Sequence, residues 1–291
     1  MLRRLKYMIV DPPPAVVVEV SGLGVSAVKR DPKTAEVIAR ARQDLPPGLL
    51  DLSPHRQNIQ DAGTFDKVVG NVLDQLGELR RPDVALVLPD NCARLTVLDF
   101  DSLPGDAKER LKLIRWRLKK TVPFDIEAAR IAHRTWPTAN GVAALVAAIP
   151  AEVIRQYETP FEQRGLWPGY VSLSTCAALN LLPDEPMTLL AKRSRASLTM
   201  AVVEAGVVRM VRSVDLAAPV DAEDEWDEAA RDIYPTMVFV EDHFGAPVSK
   251  LVLCGFDQIP TGTEYDIEWL RTPEGPVDGG EAGIWGYLSV N

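Results

Sequence analysis

The chain has few of the residues that carry most metal and thiol chemistry. It holds three cysteines in 291 residues, Cys92, Cys176 and Cys254, an odd number set far apart with no C-x-x-C. That spacing excludes a disulfide framework and a cysteine zinc site, and leaves buried thiols as the expectation. Its three histidines, His55, His133 and His243, lack metal-ligand spacing, and none sits in a nucleophile motif. Net positive charge is also missing: the formal charge is -9, which argues against general nucleic-acid binding. No run approaches the roughly 18 apolar residues that a membrane span needs. The opening MLRRLKYMIV is basic but has no apolar stretch long enough for a secretory signal, so a cytoplasmic chain is expected. A narrower absence matters more. Between Met187 and Val203 there is no Asp or Glu.

The rest is the composition of an ordinary soluble protein, 46% hydrophobic and 25% charged, long enough for about two domains. Residues 1–12 read as an amphipathic tip, with Leu2, Leu5, Met8 and Ile9 among Arg3, Arg4 and Lys6. The β-branched run from Ala15 to Glu19 turns at Ser21-Gly22-Leu23-Gly24 and resumes at Val25, which predicts a hairpin. Residues 44–63, rich in Pro, Gly and Asp, read as a surface connection. Phe65, Val68, Val69, Val72, Leu73, Leu76 and Leu79 predict a helix to Arg80.

The central stretch is the least ambiguous. Val84–Leu88 is an apolar run broken by the turn residues Pro89-Asp90-Asn91, and Leu95, Val97 and Phe100 alternate with polar neighbours, giving two strands. Ser102 and Asp106 bracket a helix with Ala107, Leu111, Ile114 and Leu118 inward, stopped by Pro123. Lys108, Arg110, Lys112, Arg115, Arg117, Lys119 and Lys120 crowd it against a single Glu109. Two readings stand: a solvated face snorkelling over the core, or a patch for an acidic partner or anionic lipid headgroups.

Beyond it, strands are expected at 142–149, 170–173, 187–191, 196–204, 207–214, 251–256 and 265–270, and helices at 153–161, 175–182 and 225–244, the last bent at Pro235. Alternating strands and helices on both sides of Pro183-Asp184-Glu185-Pro186 argue for two α/β halves.

Residues 84–134 resemble the middle of the PilM family, cytoplasmic actin-like proteins of type IV pilus assembly. The likeness rests on Leu88-Pro89-Asp90, Asp101-Ser102-Leu103-Pro104, Ile114-Arg115-Trp116 and Val122-Pro123-Phe124 in that order. Leu45-Pro46-Pro47-Gly48 and Asn58-Ile59-Gln60-Asp61 extend it, as do 265–273 and 283–288. The resemblance implies an α/β actin-like fold, a duplicated ribonuclease H-like unit in two lobes around a central cleft. On this chain that means lobe I at 13–183 with a subdomain inserted around 86–150, lobe II at 187–291, and a flexible tip at 1–12.

It also implies ATP and Mg2+, with residues to test. The family's first phosphate loop, D-I-G-x-x-x-[VI]-K, falls on Glu19, Ser21, Gly22, Gly24 and Ser26, which lack the aspartate, the first glycine and the lysine. A plain hairpin fits these residues as well as a phosphate loop does. Counting back from Gly206, the second loop's D-x-G falls on Lys192 and Ser194. Gly255 stands alone where the family has a glycine pair beneath adenine. Phosphoryl transfer needs a carboxylate-anchored metal ion, so binding is expected to be weak or lost, and catalysis absent.

The function expected from the resemblance is a scaffold at the inner membrane that binds the N-terminal cytoplasmic tail of a PilN-like bitopic protein, alongside other pilus proteins. Leu111, Arg115, Trp116, Pro123 and Phe124 are candidates for the peptide groove, with Trp116 and Phe124 reading equally well as core. Alternatives are a working actin-like ATP switch with Glu19 on the metal side, a type II secretion GspL-like cytoplasmic domain, and a small-molecule kinase using Asp99 or Asp101 as base.

Overall fold

The valine-rich run near the start becomes β1 (Val16–Val20), buried along its whole length. Such β-branched residues suit a central strand covered on both faces. In this computed structural model β1 is the middle of a five-stranded sheet with β2 (Gly24–Arg30), β3 (Val37–Asp44), β4 (Asp83–Leu88) and β8 (Trp167–Leu173), in the order β3-β2-β1-β4-β8. Residues 12–183, 185, 187–195, 197–216, 222–260 and 265–290 are described. The amphipathic segment at 1–11 lies outside them, as do two residues of the Pro183–Pro186 boundary.

A second sheet repeats the first. β9 (Met187–Ser194) takes the place of β1 among β10 (Ser197–Glu204), β11 (Val207–Asp215), β12 (Lys250–Cys254) and β13 (Ile267–Trp269), ordered β11-β10-β9-β12-β13. In each sheet the central strand pairs antiparallel with its hairpin partner and parallel with the strand on its other side. The duplication therefore puts Glu19 and Lys192 near the carboxyl ends of matching strands, where ligands of open α/β sheets gather.

A smaller sheet, β5-β7-β6, is inserted after β4. It comprises β5 (Arg94–Phe100), β6 (Ala129–Thr138) and β7 (Gly141–Pro150), with α2 (Ala107–Leu118) packed over it through Ile114 and Leu118. Asp106 caps α2 by accepting from the amides of Lys108 and Glu109, so the expected start holds. The first helix, α1 (Ala62–Gln75), stops short of the expected Arg80 because Gly77 takes φ +67 and ends the spiral in a left-handed cap. The 44–63 stretch is pinned rather than loose. Leu45, Leu49 and Ile59 are buried, and buried Asn58 takes the Tyr157 hydroxyl at 3.0 Å.

The remaining helices are α3 (Ala151–Glu162), the short α4 (Ser174–Ala178), α5 (Ala222–Phe244), which continues through Pro235, and α6 (Ala282–Val290). A hairpin of β14 (Arg271–Thr272) and β15 (Gly275–Pro276) precedes α6. The expectation put 187–291 in one lobe. Instead α6 returns to the first sheet, where Ile284 and Tyr287 pack with Val17, Val28, Ala85 and Val87. Tyr287 also donates its hydroxyl to the Pro14 carbonyl at 2.9 Å. The approach to α4 is very close: a Cβ on Gly286 would lie 2.0 Å from the Ala177 carbonyl oxygen. Only glycine permits that contact.

Candidate functional site

The two repeats meet at a small buried set of charges. Glu19, fully buried, accepts a hydrogen bond from Ser174 Oγ at the start of α4 and another, at 2.9 Å, from the Ile284 amide in the first turn of α6. Asp90 lies in the turn that follows β4. It accepts the Thr175 amide at 2.8 Å and the Thr175 hydroxyl at 2.7 Å. The helix N-termini beside the cleft are thus capped by the chain's own carboxylates.

Lys192 comes from the other repeat and completes the set. Its Nζ lies 3.2 Å from Asp90 Oδ2, with side-chain exposures of 3% and 4%. Burial, the largest single influence, depresses the ammonium, but the charges of Asp90, Glu19 and Cys254 with the hydrogen bond to Asp90 push the other way and the net shift is upward. For Glu19 burial wins: it lifts the carboxyl to about 7, against the opposing pull of Lys192 and of the hydrogen bonds from Ser174 and Ile284. A lone pair of buried acids would be mutually repulsive. The ammonium offsets one full charge.

The loops above these charges are closed on themselves. Ser21 Oγ accepts from the amides of Leu23 and Gly24, both at 3.2 Å, so the β1–β2 turn spends inward the amides that a phosphate would need. Gly22 faces the β9–β10 turn: a Cβ there would lie 3.5 Å from Arg195 Cβ and 3.9 Å from Ser194 Oγ. The two hairpin turns touch. Gly24 abuts the Gln43 carbonyl, and Ser26 is buried beside Glu19 in the hairpin register. Gly255, at φ +78, leaves room for the Arg193 carbonyl, which a Cβ would approach to 2.3 Å. Arg193 itself pairs with Glu225, whose other oxygen accepts the Asp257 amide at 3.0 Å. Among the described residues no three His, Cys, Asp or Glu side chains converge as a metal-ligand set.

So the structure brings Glu19 and Lys192 together in the interior, sets Gly22 of the Ser21 turn against Ser194, and places Gly255 against the Arg193 carbonyl. Sequence reasoning missed Asp90, Ser174, Thr175 and Glu225. Asp90 was visible as a turn residue and as part of the Leu88-Pro89-Asp90 likeness, but its role depends on a lysine 102 positions away.

The candidates for a peptide groove do not converge. Arg115 spends its guanidinium on the carbonyls of Ile126 and Ala129. Trp116 is 64% exposed, while Phe124 packs partly buried against the Ile114 cluster and borders a different hollow beside α3. Leu111 is half-buried and Pro123 exposed. An apolar groove of about 620 Å³ lies elsewhere, between β6 and β8, lined by Ile131, Trp136, Leu145, Tyr170, Val171 and Val208. Both strands are sheet edges.

A duplicated five-stranded sheet with a cleft at the strand ends defines the actin-like ATPase fold. Among solved structures, a chain of a "PilM-PilN type IV pilus biogenesis complex" superposes with a TM-score of 0.74 at 16% identity, over 96% of this chain and 99% of that one. The cytoplasmic domain of EpsL, an inner membrane component of the type II secretion system of Vibrio cholerae, gives 0.57 at 11% identity over 94% of each chain. An actin-like ATPase-fold protein of unknown function from Bacteroides thetaiotaomicron gives 0.51 at 11%, over 84% and 82%. No family model matches the sequence, and no curated protein does. The likeness read from residues 84–134 is therefore matched by a fold that spans the chain.

Proposed function

We propose that this chain is a scaffold of a type IV pilus inner-membrane assembly complex, gripping the N-terminal cytoplasmic tail of a PilN-like membrane protein and working without nucleotide turnover. The observation that carries the second half is the Lys192–Asp90 pair. Lysine stands where the fold's metal-side acid would fall, and its ammonium supplies from within a positive charge that a magnesium ion would bring. Glu19 and Asp90 have spent oxygens on helix amides and hydroxyls, and the turn amides point inward. These residues do not fit a carboxylate-held magnesium triphosphate. The division at 13–183 and 187–291, with the subdomain around 86–150, belongs to the same reading, with α6 reassigned to the first lobe.

The PilN half is supported by the PilM–PilN neighbour and by the groove. Two facing sheet edges over an apolar floor suit an extended peptide, which would add as a strand and sink alternate side chains. The proposed seat therefore moves from Leu111, Arg115, Trp116, Pro123 and Phe124 to the β6–β8 groove. Calorimetry with Mg-ATP and with synthetic tails of PilN-like proteins tests both halves. Tail binding without ATP binding is expected; micromolar Mg-ATP affinity with turnover would end the scaffold reading.

A type II secretion role is the second reading, favoured by the EpsL likeness over 94% of each chain. Co-purification from the native cell separates the two: pilus assembly proteins support the first, secretion components the second.

A further inference from the structure

The outer face of α2 carries chemistry that neither the cleft nor the groove uses. The helix turns Ile114 and Leu118 into the subdomain core, which puts Trp116 at the centre of the opposite side. By helical spacing Lys112 lies one turn before it on that side, with Lys108 and the single acid Glu109 a further turn back, and Lys119 and Lys120 follow directly on the helix end. The helix divides its cations by type. Arg110, Arg115 and Arg117 reach back to backbone carbonyls of Gly105, Ile126, Ala129 and Asp99. Lys108, Lys112, Lys119 and Lys120 are exposed, with no ion pair among the described residues. Trp116 stands 64% exposed, without an aromatic or cation partner among them.

The surroundings orient this face. Residues 94–150 hold ten Lys and Arg against six Asp and Glu, in a chain of net charge -9. A basic segment on an acidic body is the part that an anionic surface attracts. The face is a convex helix side, not a pocket that would seat a protein's anchor residues. Its mobile ammonium groups need no fixed acceptor geometry, and an indole among lysines is the composition of a membrane interface.

We infer that α2 lies on an anionic lipid surface, with Trp116 entering the headgroup layer and Lys108, Lys112, Lys119 and Lys120 neutralising lipid phosphates. The contact goes beyond tail capture, because it needs no partner protein.

The test is co-sedimentation of the full chain with vesicles of phosphatidylcholine alone or with about 30% phosphatidylglycerol. Binding is expected only with the anionic lipid, and is lost as salt rises from about 50 to about 300 mM. Lys112→Gln, Lys119→Gln and Lys120→Gln together should weaken it about 100-fold, at about fivefold per charge. Their melting temperature should not change, because all three side chains are exposed. The fluorescence difference between the native chain and Trp116→Phe should shift to the blue on anionic vesicles. Equal binding by the triple variant, or no blue shift, overturns the inference, and so does capture of an acidic protein by these lysines without vesicle binding. None of these outcomes touches tail binding in solution.

Discussion

Lys192 and Asp90 come from different repeats of the fold and meet 3.2 Å apart in the interior. A buried pair of this kind stabilises little when compared with apolar residues of the same shape, yet breaking it leaves a bare charge out of water. Lys192→Met should therefore lower stability by about 3–5 kcal/mol in urea unfolding, and adding Asp90→Asn should restore much of the loss. A loss below about 1 kcal/mol would mean that water reaches the pair.

Glu19 makes stability depend on pH. Its carboxyl ionises near 7 when folded against 4.5 when unfolded. Between those values the folded state holds the extra proton, so stability falls as pH rises from about 4.5 to about 7 and is flat above. The decline attributable to this group is at most about 3 kcal/mol. Glu19→Gln should flatten that part of the curve, measured as unfolding free energy against pH; an unchanged slope would assign the dependence elsewhere.

Gly286→Ala tests the return of α6. Its methyl group would meet the Ala177 carbonyl oxygen at 2.0 Å, and backbone cannot swing aside as a side chain can. A loss of about 1–3 kcal/mol is expected, with faster amide exchange at 174–178. Gly77→Ala, where nothing stands within 4 Å, should lose less, mainly through its left-handed backbone.

Ala132→Arg places a long cation into the groove between β6 and β8. It should weaken a PilN-like tail at least about tenfold while leaving the melting temperature nearly unchanged, since Ala132 is exposed. Fluorescence polarisation with a labelled tail reads the affinity. Trp116→Ala serves as the control, because it alters a different face.

Where local pattern and tertiary burial agree, the fold was legible. The valine runs of β1 and β4, the Asp106-capped α2 and the β9–β10–β11 meander all follow from apolar spacing. β3 was not, because Arg40 and Arg42 interrupt an edge strand whose outer face is wet. Nor was α6: buried nearly all round, its residues lack a polar face to set a helical period. The missing carboxylate near 192 was plain in the linear order. That a lysine there would bind Asp90 was not, since the contact is made by the meeting of two repeats.

The return of α6 has a temporal side. The Ile284 amide that completes Glu19 lies 265 positions downstream of it, and a ribosome adding roughly 5–20 residues per second takes on the order of 15–50 s to cover that distance. Until α6 is made, the face of the first sheet that Ile284 and Tyr287 cover, with Val17 and later Ala85 on it, stays open. A nascent chain of this protein is therefore a natural client for chaperones, and its earliest strand is among the last parts to become native.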